Sequence, residues 1–169
     1  MIPLYKGFIF LILMLWTPGL LLAAPNPIEA QKIVALADDL EDQGAQAIDD
    51  GDMDHGLKLM SSAIALDPTP SRYMNYGSIL FGNGVSVFKD SDPKQGITTL
   101  RQAEAQLLKA IALFNPNKDQ VYLSQCYFLL GEMYNNAFKD KFKAKTYYQK
   151  AADLSDYTGA KDALSKLTM

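Results

Sequence analysis

From Pro27 onward, apolar residues recur at steps of three and four and are interrupted by short polar breaks, a pattern that predicts helices joined by turns. Ile33, Leu36, Ala37, Leu40, Gly44, Ala47 and Ile48 form one stripe of an amphipathic helix over residues 28–49. Asp50-Gly51-Asp52 breaks it. Leu57, Met60, Ala63, Ile64 and Leu66 make a second, shorter stripe, stopped by Asp67-Pro68-Thr69-Pro70 because proline cannot continue a helix and restrains the residue before it. So short a connection leaves the two stripes only one way to cover each other, as an antiparallel hairpin.

The same cycle recurs. A helix over residues 73–88 is followed by a polar break at 89–93, and Ile97, Leu100, Ala103, Leu107, Leu108, Ile111 and Phe114 then form a longer stripe ending at Asn115-Pro116. A helix over 119–138 leads through Lys139-Asp140 into the stripe of Ala144, Tyr147, Tyr148, Ala151 and Leu154, and a last helix over 158–167 carries Ala160, Ala163, Leu164 and Leu167. Strand-period alternation is absent from the sequence, and the breaks are too short for a separate loop structure, so the chain reads as all-α.

Three stretches share more than helicity. Gly44-x-x-Ala47 is followed by an acidic-glycine turn and by Gly56-x-x-x-Met60-x-x-Ala63-Ile64-Ala65-Leu66-Asp67-Pro68. Ala103-x-x-x-Leu107-x-x-Ala110-Ile111-Ala112-Leu113-Phe114-Asn115-Pro116 repeats the second half with one added residue, and Tyr73-x-x-Tyr76-Gly77-x-x-Leu80 precedes it. The third copy is Tyr127-x-x-Leu130-Gly131-x-x-Tyr134, followed by Ala144-x-x-x-Tyr148-x-x-Ala151. This pattern resembles the tetratricopeptide repeat, and the stretch from Phe142 to Ala152 is also similar to the related Sel1-type repeat. The resemblance implies a right-handed solenoid of about three helix hairpins with the 158–167 helix as a cap. Its physical basis is that small residues let two helix backbones approach while large ones a turn away fill the flanking volume, so each hairpin docks on the next. The second copy departs from the pattern by additional residues between its halves, and the first by Gln43 and Ala47 where large residues are expected.

Composition adds a destination. Lys6 is the only charged side chain in the first 24 residues, and it precedes an apolar run, a Pro18-Gly19 break and the small residues Ala23 and Ala24. That order is expected of a secretory signal over residues 1–23, cleaved after Ala23, with residues 24–169 as the exported helical domain in the periplasm or outside the cell. The alternative is an uncleaved anchor, because residues 7–24 form an 18-residue stretch without a charge. The net charge of −3 gives no basic footprint for nucleic acid. Cys126 is the single cysteine, so an intrachain disulfide is impossible, and its apolar surroundings predict a buried, inert thiol.

Candidate chemistry is sparse. Asp50-x-Asp52-x-Asp54 opens like a calcium loop, but His55 and Ser61 stand where that loop needs glycine and a bidentate glutamate. Asp52 or Asp54 is expected instead to cap the following helix, as Asp92 is ahead of Pro93. His55 is the sole histidine and lies in a polar turn, so a triad, a zinc site or a histidine base would each need it to act alone. Gly82-Asn83-Gly84 lacks the lysine and hydroxyl of a phosphate cradle, and close helix packing or a kink is the expected role.

The sequence therefore points to a non-catalytic interaction module without a cofactor, binding a protein or peptide segment. In the resembled family the first helix of each hairpin makes the inner face of the stack, and its partner-facing positions fall here at Glu41, Ile48, Met74, Phe81, Phe128, Glu132 and Asn135. Met74, Phe81 and Phe128 would supply apolar anchors, and Glu41, Glu132 and Asn135 polar orientation. The second expectation is a membrane-tethered assembly factor that works through its outer surface, should the N-terminal segment stay uncleaved.

Overall fold

The computed structural model describes residues 26–155 and 158–167; the expected export signal and its cleavage point lie outside them. The described residues form seven α-helices and no strand: α1 (Pro27–Asp49), α2 (Met53–Leu66), α3 (Pro70–Asp90), α4 (Pro93–Leu113), α5 (Gln120–Asn136), α6 (Lys141–Leu154) and α7 (Thr158–Lys166). None of these is long and apolar enough to cross a membrane.

Side chains start most of them. Asn26 and Glu29 close a capping box at α1, Asp52 caps α2 by accepting from the His55 amide, and Thr69, Asp92 and Asp140 do the same for α3, α4 and α6. The expected reading of Asp52 and Asp92 is thus the observed one. The 67–70 break is shorter than the sequence pattern implied, because Pro70 sits in the first turn of α3, where its missing N–H costs nothing. The α5–α6 turn closes on Lys139 at φ 58°, with the Asp140 amide donating back to the Tyr134 carbonyl at 2.9 Å.

The helices pack in consecutive antiparallel pairs. Between α3 and α4 the contacts run in reverse order, Gly77 against Leu107, Gly84 against Leu100 and Gly96 against Phe88, so each step down one helix is a step up the other. A Cβ on Gly84 would lie 2.9 Å from Leu100 Cγ, and one on Gly96 2.5 Å from the Phe88 backbone; the glycines set how closely these helices approach. Gly82 meets nothing, so of the glycines flanking Asn83 only Gly84 is a packing residue. In the α1–α2 pair Gly44 faces Met60 and Gly56, and in the α5–α6 pair Gly131 faces the Tyr148 ring.

A continuous apolar core joins the second pair to the third through Leu80, Leu100, Leu107, Leu123, Leu130 and Met133. Cys126 lies fully buried in it, and burial pushes its thiol up to about 12, so the thiol stays protonated and unreactive at neutral pH. A smaller cluster of Tyr134, Ala144 and Tyr148 extends that core to Ala163, Leu164 and Leu167 at the α7 end. The first pair has less to bury: Ala37, Gly44, Gly56, Met60 and Ala63 are its buried positions. It is tied to α3 by Arg72, whose buried guanidinium pairs with Asp38, with Asp67 and, 3.3 Å from its Nε, with Glu41.

Candidate binding face

The successive first helices α3 and α5 leave a cavity of about 380 Å³ between them. Its walls are Phe81, Val85 and Phe88 from α3, Leu100 from α4, Met133 from α5 and Ala137 at the α5 C-cap, with Lys89, Glu132 and Asn136 as the polar groups. The local reason is spacing: Phe81, Val85 and Phe88 stand four and three residues apart, one above another on a single α3 face.

A second cavity, of about 530 Å³, lies between α5, α6 and α7. Glu132 and Asn136 line both, so the two form one continuous surface along α5 that changes from apolar to polar. Asn135, Lys141, Asp162 and Lys166 line the polar part. Its floor is held in place: the Tyr148 hydroxyl donates to Glu132 Oε1 at 2.6 Å, and Asn136 Nδ2 donates to Glu132 Oε2 at 2.9 Å. Burial, then the bond to Glu132, raises the Tyr148 phenol above its ordinary value, so it remains a donor at any physiological pH. A carboxylate with two fixed donors keeps lone pairs for a third, such as a ligand ammonium, guanidinium or backbone N–H.

The seven residues named from the sequence divide. Phe81, Glu132 and Asn135 line this surface. Glu41 is engaged at the junction of the first two pairs, where its Oε1 also accepts from Asn75 Nδ2 at 2.7 Å. Ile48 turns toward the second helix of its own hairpin, where a Cβ on Gly56 would come within 2.4 Å of Ile48 Cγ1. Met74 packs against the main core, and Phe128 lies 5.8 Å, ring to ring, from Tyr148. These four residues carry packing or junction contacts.

Sequence reasoning missed Val85, Phe88, Asn136 and the whole α7 wall. The first three had a signal, since Val85 and Phe88 continue the helical face of Phe81 and Asn136 follows Glu132 by one turn. Asp162 and Lys166 had none, because what α7 faces depends on how it docks. No protein-family model matches the chain, and no curated protein does.

Proposed function

We propose that the chain is an exported, tetratricopeptide-like helical repeat protein that holds a segment of another polypeptide along α5, between α3 and α7. The observation that carries this is the pair of cavities sharing Glu132 and Asn136, apolar at Phe81 and Phe88 and polar at Asn135, Asp162 and Lys166. An apolar side chain of the partner fills the first part, and its backbone or a cationic group meets Glu132 in the second. Support for the solenoid reading comes from the three antiparallel pairs and from the small-against-large contacts at Gly44, Gly77 and Gly131, the positions at which the repeat resemblance places small residues. The export reading rests on the order of residues 1–24 alone.

The test is a blocking substitution that spares the core. Asn136 is exposed, so Asn136→Arg fills the surface at the loss of the solvent-facing hydrogen bond to Glu132 and leaves the buried core residues in place. Partners recovered by crosslinking from the exported fraction are expected to be lost from this variant while its thermal unfolding is unchanged. Full retention of those partners would reject this face.

A further inference from the structure

The face of α6 turned away from α5 has no role in the binding surface described above. Phe142 stands on it 79% exposed, more than any other large apolar residue among the described ones. Phe142, Thr146 and Gln149 follow at four- and three-residue steps and form one ridge. Lys145 and Lys150 flank that ridge, the Lys150 ammonium at its edge 5.3 Å from the Tyr127 ring of α5, and the five residues line a shallow, largely carbon-walled depression of about 560 Å³. Residues 139–150 hold five lysines against Asp140 alone, although Lys141 lines the α5–α7 cavity and Lys143 lies 3.9 Å from Asp140, so this segment is basic in a chain whose net charge is −3. An exposed ring among lysine stems is a surface suited to an apolar knob surrounded by carboxylates.

The chain carries such a knob at its other end. Helix α1 has 23 residues and α2 only 14, so α2 is too short to cover the first turns of α1. Ile28 and Leu36 are left 66% and 50% exposed there. At 100° per residue, Ile28, Leu36, Asp39 and Asp42 fall within about a third of the helix circumference. The helix as a whole bears Glu29, Asp38, Asp39, Glu41, Asp42 and Asp49 against a single lysine, Lys32.

We infer that the outer face of α6 docks a second copy of this chain, with Ile28 or Leu36 of one copy seated beside Phe142 of the other and Asp39 and Asp42 opposite Lys145 and Lys150. Charge complementarity selects this occupant, because both halves of the contact, opposite in sign and each with an uncovered apolar residue, are present on every copy. The faces are unlike, so repetition gives a closed ring or an open chain.

The test is sedimentation velocity of the purified chain over a concentration series at low and at high salt. Self-association is expected at low salt and should weaken about tenfold or more when raised ionic strength screens the charges. Asp39→Lys with Asp42→Lys, and separately Lys145→Glu with Lys150→Glu, should each weaken it by a similar factor. An equimolar mixture of the two variants should restore it, since each then offers the other an opposite charge at both contacts. Should either charge variant fold poorly by circular dichroism, Phe142→Ser provides the independent check and should also lose association. A monomer at every concentration and salt, association indifferent to the reversals, or no rescue on mixing would each overturn the inference. So would binding of the monomeric chain to phosphatidylglycerol vesicles through Phe142, which would assign the face to an anionic membrane.

Discussion

The first hairpin and the two that follow are built from the same kind of helix pair but held to their neighbours differently. Between the second and third hairpins the contact is a shared apolar core, with Leu100, Leu107, Leu130 and Met133 each 1% exposed or less. A polar tie supplements it, in which Glu104 of α4 accepts from the Tyr134 hydroxyl and from Arg101 at 2.8 Å. At the first junction the tie is the more prominent element: Arg72 is buried among three carboxylates, while few large apolar side chains of α1 are buried at all. Apolar burial is short-ranged and cooperative, whereas an ion network depends on both charges being present. The second and third hairpins thus form one apolar platform, carrying the proposed binding surface, to which the first hairpin is joined more through ion pairs than through apolar burial.

The largest expected effect breaks the platform. Leu100→Ala empties a fully buried site facing Gly84 and should cost about 3–5 kcal/mol in denaturant unfolding, felt by every helix from α3 to α6. Alkaline pH probes the same region. The groups whose ionisation burial opposes, Cys126 and Tyr76, Tyr134, Tyr147 and Tyr148, all lie in the second and third hairpins. With its folded value raised to about 12, Cys126 leaves stability intact below the range where the unfolded thiol ionises, and stability then falls as pH rises toward 12. That single group accounts for up to about 4 kcal/mol by pH 12. Calorimetry of wild type and Cys126→Ala from pH 8 upward should show the variant losing less.

A smaller effect should separate the two regions. Arg72→Met removes the buried cation, and because its partners are partly exposed it leaves carboxylates that water can reach, so about 1–3 kcal/mol is expected. Native-state hydrogen exchange should show that loss in α1 and α2, with protection in α4 and α5 kept. Uniform loss across all helices would show that the first hairpin is part of the platform. The smallest change is a gain: Lys139 occupies a left-handed conformation that favours glycine, and Lys139→Gly should raise stability by about 0.5–1 kcal/mol.

What the sequence disclosed and what it hid follow the same division. The helices were legible because each apolar stripe is continuous and each break contains aspartate, glycine or proline that caps or stops a helix, as at Asp52 and Asp92. Antiparallel pairing followed from connection length, and the buried thiol from its apolar neighbours. Arg72 was not legible: an arginine in a polar segment gives no sign that Asp38, 34 positions earlier, will fold against it. The candidate surface was half legible. Phe81, Glu132 and Asn135 lie on helix faces whose period the sequence reveals, whereas Ile48 and Phe128 turned to packing because Gly56 and Tyr148 offered them room and contact. Side-chain period identifies a face, and the docking of neighbouring helices decides what that face meets.

The most direct measurement is site-specific photo-crosslinking in cells that produce the chain, with the reactive group placed at Asn136 on the α5 surface or at Lys58 on the exposed side of α2. The account predicts a discrete crosslinked polypeptide from position 136 and none from position 58. Crosslinking from position 58 with silence at 136 would contradict it and move the function to the outer surface.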